Sequence, residues 1–232
     1  MTPNRRAVFD VLNSYRKEGE AWCDMEAQAN NPVLQFVLDR FQRVLDHDLE
    51  QLNGHEAEGD FGSGKAMFLK PSAKEPKSVV LLKCSWKLPK PAKGKKKNTK
   101  VKVNEDSARE ILRMYIGIFR PNEDPNGHPH FCGLRFETPE GPGKHNYFHV
   151  QLIQASSFDD CIGTDCLISV PESYPAMPLH VVDLSELAAS VYLALHGLDT
   201  FRDLSTPNQS VNKAIKVMRE RCDAEIIPQL AG

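Results

Sequence analysis

The sequence predicts an α+β fold: an N-terminal helical hairpin, a central antiparallel, meander-like sheet and C-terminal helices. Apolar residues recur at helical spacing near both ends of the chain. Through the middle they alternate, in runs rich in β-branched and aromatic residues bounded by Pro and Gly. Helices, then strands, then helices is the order of a segregated architecture, whereas a parallel doubly wound sheet would interleave them. The 232 residues suffice for a sizeable core. They divide into a helical hairpin over 1–53 and an α+β domain over 54–232, or run on as one continuous domain.

Thr2-Pro3 reads as a cap followed by Pro at the first helical position. Val8, Val11, Leu12 and Tyr15 then mark a helical stripe, with Trp22 further along. Asn31-Pro32 repeats the cap signal. A second stripe, Leu34, Val37, Leu38, Phe41, Val44, Leu45, Leu49 and Leu52, predicts a helix of about five turns stopped by Asn53-Gly54. The two helices are expected to pack as an antiparallel hairpin. A polar, Gly-rich loop follows from Gly54 to Gly64.

Lys65 to Lys70 is a short strand candidate, Pro71 to Lys77 a turn and Ser78 to Trp86 a strong strand. Val80, Leu82, Cys84 and Trp86 share one face of it, and Val79 and Leu81 begin the other. Asn104 to Arg113 reads as a short helix. Met114 to Arg120 fits a strand or a continued helix. His128 to Gln151 predicts a β-hairpin around the turn Thr138 to Gly143. Cys166 to Val170 is a last strand candidate, and Pro171 to Pro178 is too proline-rich for a sheet interior. Leu184, Leu187, Ala188, Val191, Tyr192 and Leu195 predict a helix capped by Asp183 or Ser185 and stopped by His196-Gly197. A final helix is expected from about Pro207 to Cys222.

Composition narrows the function. With 41% hydrophobic and 26% charged residues the chain is ordinary for a globular protein. A net charge of −2 gives no global field toward nucleic acid or membrane, so any electrostatic partner must be found locally. No apolar run approaches the ~20 residues that span a bilayer. The opening Met-Thr-Pro-Asn-Arg-Arg leads into an amphipathic pattern rather than a signal peptide. The six cysteines, at 23, 84, 132, 161, 166 and 222, are scattered and several lie in apolar patterns. A cytoplasmic protein without disulfides, membrane partner or cofactor is expected.

Several motifs invite chemistry. Gly59-Asp-Phe-Gly-Ser-Gly64-Lys65 has the glycine and lysine spacing of a phosphate loop, but Ala66 stands where magnesium needs Ser or Thr, and no apolar strand precedes it. His128-x-His130-x-Cys132 places three metal-ligand types on one strand face, with Cys161 and Cys166 as further candidates. His145 and His149 lie roughly 13 Å apart if on a strand. No metal site is expected. Cys132 and His149 would form a nucleophile pair only from the same face, and the register puts them on opposite ones.

Lys87 to Lys102 contains eight lysines and no acid. Within it Lys93, Lys95, Lys96, Lys97 and Lys100 are candidate phosphate contacts for non-specific RNA or DNA binding; a solvated tip and an acidic protein partner are the other readings. In the hairpin, Cys132, Leu134 and Phe136 face Phe148, Val150 and Leu152. The opposite face carries Arg135 and Glu137 on one strand and Tyr147, His149 and Gln151 on the other. Arg135, Tyr147, His149 and Gln151 are thus the candidate binding residues, and His149, Arg135 and Glu137 the candidate catalytic ones, on a face expected to be open to solvent.

Arg135-Phe136-Glu137, the Gly/Pro turn, His145, Tyr147-Phe148-His149-Val150-Gln151, Pro175-x-x-Pro178 and the Leu/Ala-rich helix ending His196-Gly197 together resemble uncharacterised bacterial proteins associated with defence or mobile-element loci. The resemblance spans about 70 residues. It implies a bacterial cytosolic accessory protein and carries no activity. The function expected is that of a non-enzymatic interaction protein whose partner is another protein. A nucleic-acid-contacting accessory and a hydrolase- or nuclease-like enzyme are the alternatives. Treatment with a strong chelator should leave the melting temperature unchanged; a large drop would reveal a structural metal, whose binding energy is folding energy.

Overall fold

The computed structural model describes residues 5–53, 58–87, 111–124, 127–139, 147–153, 158, 177–179, 184–203, 216 and 220. The Lys93 to Lys100 candidates, the start at Thr2-Pro3 and the Cys166 to Val170 strand fall outside them. The architecture is α+β. Helix α1 (Arg5–Gln28) follows the predicted stripe, with Val8, Val11, Leu12, Tyr15 and Trp22 all buried.

The second arm of the expected hairpin is not one helix. Asn31 caps α2 (Pro32–Leu38) as predicted, its side-chain oxygen accepting from the Val33 and Leu34 amides at 3.0 and 3.2 Å. The chain then leaves the helix at Asp39. Strand β1 (Gln42–Arg43) follows, then helix α3 (Asp46–Asn53). Phe41 and Val44 are buried as the stripe predicted, but in different layers, whereas three residues apart on one helix they would share a face. The acids at the start of α3 mark the break. Asp46 and Asp48 stand in its first turn, and Asp48 accepts from the Leu45 amide at 2.8 Å. Burial pushes the Asp48 carboxyl up. The hydrogen bonds from Lys65 and the Leu45 amide outweigh that and hold it below the usual carboxylate range.

Strands β3 (Lys65–Leu69), β4 (Val79–Lys87), β5 (Ile111–Arg120), β6 (His130–Glu137) and β7 (His149–Ile153) form an antiparallel meander. At one side β1 joins β3 in parallel. At the other, β8 (Met177–Pro178) pairs with β7, an edge position that tolerates proline. Strand β2 (Glu58–Asp60) pairs with β4 past the end of β3, so part of the predicted loop is sheet. Met114 to Arg120 is strand. So are Ile111 to Arg113, where the short helix was expected to end. Helix α4 (Leu184–Asp203) continues past the predicted stop at Gly197. An internal glycine costs only about 1 kcal/mol relative to Ala, and no proline follows until Pro207. Of the predicted 207–222 helix, Lys216 and Glu220 are described, both helical and 3.8 Å apart. Among the described residues no helix is long and apolar enough to cross a membrane.

The sheet is covered on both faces. On the first, Val80, Leu82, Cys84, Trp86, Leu112, Met114, Ile116 and Phe136 pack with α1, α3 and α4. On the second, Ala66, Phe68, Val79, Leu81, Phe119, Phe131 and Ile153 pack with Phe158, with Val33, Leu34 and Val37 of α2, and with Trp22 and Cys23 near the end of α1. Helix α1 therefore serves both layers and passes the sheet edge at β3. Gly19 sits at that crossing: a Cβ there would lie 1.6 Å from the Phe68 carbonyl oxygen. Gly19→Ala raises helix propensity yet forces α1 off the sheet. It should destabilise by about 3 kcal/mol, as overpacking against backbone does, read as a lowered urea midpoint at unchanged slope.

Candidate functional site

The two faces of the hairpin are divided as predicted, but the pairing closes around a longer connection than Thr138 to Gly143. Arg135 faces Gln151 and Glu137 faces His149 across β6 and β7, with Leu134 opposite Leu152 and Phe136 opposite Val150 on the other side. The second face changes character along its length. In β4 the positions after Val79 and Leu81 are Lys83, Ser85 and Lys87. In β5 Gly117 gives way to Tyr115 and Arg113. Two polar rows result, running directly across the strands. One is Lys83, Tyr115, Arg135, Gln151; the other is Asp60, Ser85, Arg113, Glu137, His149.

The expected open polar face is corrected at its centre. Glu137 is 1% and His149 0% exposed. Burial is tolerated because cations surround the carboxylate. Arg113 Nε lies 2.7 Å from Oε1, an ion pair set off the hydrogen-bond axis. Arg135 Nε lies 2.9 Å and His149 Nε2 3.1 Å from Oε2. Strand β8 flanks His149 on its outer side, and the Tyr147 ring meets the imidazole edge-on at 5.8 Å. His149 Nδ1 is 3.1 Å from the Tyr147 carbonyl. A carbonyl and a carboxylate oxygen both accept, so each of these contacts is a hydrogen bond where the facing ring nitrogen carries hydrogen. Gln151, with its amide oxygen turned to Arg135, accepts from Nε at 3.2 Å and from a terminal nitrogen.

Beside this cluster lies a cleft of about 470 Å³ lined by Asp60, Phe61, Gly62, Ser63, Lys83, Cys84, Ser85, Tyr115 and Arg135. Its wall is the Gly-rich turn between β2 and β3. Gly62 and Gly64 take φ of +83° and +70°, which disfavour any residue with a side chain. The Gly62 amide donates to Asp60 Oδ1 at 2.6 Å. This is the stretch with phosphate-loop spacing. It joins two strands instead of opening a helix, and Lys65 Nζ is bound to Asp48 at 2.8 Å. Of the predicted binding residues, Arg135 alone lines the cleft. Gln151 supports Arg135, Tyr147 is 40% exposed, and His149 is enclosed. Lys83, Ser85, Tyr115 and Ser63 were not singled out from the sequence. The switch from apolar to polar at alternate positions after Leu81 is the signal that marks the first two.

Among the described residues no group of three or more His, Cys, Asp or Glu could hold a metal. His128 instead meets the Phe36 ring edge-on at 5.9 Å. Cys132 lies on the opposite face from His149, as the register predicted. Burial pushes the thiols of Cys23, Cys84 and Cys132 up, away from the reactive thiolate. In comparisons with protein families, curated proteins and solved structures, the chain finds no match.

Glu137→Gln should destabilise by about 3 kcal/mol, because three cationic or proton-bearing partners lose their shared counter-charge. Arg113→Gln, whose side chain is 39% exposed, should cost only about 1 kcal/mol. Equal losses in chemical denaturation would contradict the central role of the carboxylate.

Proposed function

We propose that this chain is a non-enzymatic interaction protein, an accessory of a bacterial cytosolic assembly, that receives an anionic group of its partner on the polar half of the second sheet face. The observation that carries this is the cleft's lining. Lys83, Arg135, Ser63, Ser85 and Tyr115 all bear N–H or O–H donors, and the two cations outnumber the one carboxylate of the lining, Asp60, which keeps its charge while accepting from the Gly62 amide. The bacterial and defence-related setting rests on the sequence resemblance.

The 3.1 Å contact between His149 and Glu137 favours a second reading, a hydrolase- or nuclease-like enzyme using His149, Arg135 and Glu137. The enclosure of His149 weighs against it: a general base must reach the proton it abstracts, and both ring nitrogens already face protein oxygens. Tagged full-length chain should capture a defined set of macromolecules from host extract. Lys83→Glu, which reverses a charge in the cleft, should abolish that capture while leaving the melting temperature within a few degrees. An identical captured set from both proteins would overturn the proposal.

A further inference from the structure

The connection from 88 to 110 leaves the sheet at Lys87 and returns at Ile111, and these two residues pair directly. They continue the order of the polar rows, since Ser85 pairs with Arg113 two positions earlier. The basic run Lys87 to Lys102 therefore begins at the polar end of the second face. There Lys83, Lys87, Arg113 and Arg135 share a face with the carboxylates Glu137 and Asp60. The protein as a whole carries a net charge of −2, so the cationic balance here is local.

Resting on the reading of this cleft as an anion site, we propose that it takes the phosphodiester groups of single-stranded nucleic acid. The lining combines what such a site requires. Lys83 and Arg135 supply charge, Ser63, Ser85 and Tyr115 supply hydroxyl donors, and Tyr115 adds an aromatic ring to a basic groove. Arg135 is held from behind by Glu137 and Gln151, which together engage its Nε and one terminal nitrogen. A guanidinium has five N–H groups in a fixed fork, so three N–H groups remain beyond those contacts. A cleft of about 470 Å³ accommodates a nucleotide unit. Reading a duplex by its base edges needs a helix or a two-stranded ribbon in its groove, whereas a recess between strands and a turn suits a strand whose sugar and base can turn into it. The site is the cleft itself, and its phosphate contacts are assigned to the described side chains Lys83 and Arg135.

The test is fluorescence anisotropy of a labelled oligothymidylate of about ten nucleotides with the full chain, across a salt series. Each phosphate contact contributes a log–log salt slope of about −0.7. Lys83→Gln should flatten the slope by about 0.7 and weaken binding about fivefold at 0.1 M salt. Ser63→Asp, on an exposed turn, should weaken it further with the melting temperature unchanged. Duplex of the same length and thymidine monophosphate should both bind more weakly. Equal competition by the monophosphate would overturn the polymer as ligand. Binding that survives both cleft variants but is lost in Lys95→Ser/Lys96→Ser/Lys97→Ser would place the phosphate contacts on the lysine run and overturn the inference. If no oligonucleotide binds while polyglutamate binds in a Lys83-dependent way, this inference falls and the anion-binding reading stands. If neither binds, both fall.

Discussion

A single enclosed carboxylate, Glu137, organises the polar half of the sheet. An ion removed from water costs several kcal/mol unless partners replace its hydration. Here the replacement comes from three directions: Arg113 on the neighbouring strand, Arg135 two residues back on its own strand, and His149 across the hairpin. The arrangement ties β5, β6 and β7 together at a place where none can offer apolar packing on that face. It also fixes Arg135. A guanidinium already held by a carboxylate and an amide loses little freedom when it meets a ligand, which is how preorganisation improves binding. The enclosed pair thus acts on the cleft through Arg135 without touching what enters it.

The same sheet is apolar at its other end, and the two ends need different neighbours. Phe119, Phe131 and Phe158 form an edge-to-face aromatic cluster at centroid distances of 5.3 to 6.5 Å, capped by α2. Lys83 stands at the boundary, its ammonium 5.9 Å from the Phe158 ring. The transition takes one step along β4, from Leu81 to Lys83.

Much of the fold was legible because alternation and helical spacing are local signals. The division of the hairpin into two faces, the α2 cap at Asn31 and the two-faced burial of Ser78 to Trp86 all followed from residue order. What failed were boundaries decided by long-range contacts. The stripe from Leu34 to Leu52 satisfies helical spacing throughout, yet β1 interrupts it because the Gln42 and Val44 amides donate to Gly64 and Ala66. Nothing within the stripe announces a strand partner more than 20 residues away. For the site, residue order put Glu137 and His149 on one face but could not say that the face was closed there. Exposure depends on Arg113 and β8, distant in sequence. The polar switch after Leu81 marks Lys83, but its partnership with Tyr115 and Arg135 was illegible because only the pairing of β4 with β5 and β6 aligns the three.

The passage of α1 across the rim of the sheet separates the chain's two tryptophans. Trp22 belongs to the layer beneath α2, whereas Trp86 lies in the opposite layer against Phe61, at a ring separation of 6.1 Å. Since the chain has two tryptophans, replacing either one by Phe leaves a single indole, and the two variants make a two-channel optical gauge. Each indole reports the melting of its own layer, and agreement between the channels measures how cooperatively the layers are joined.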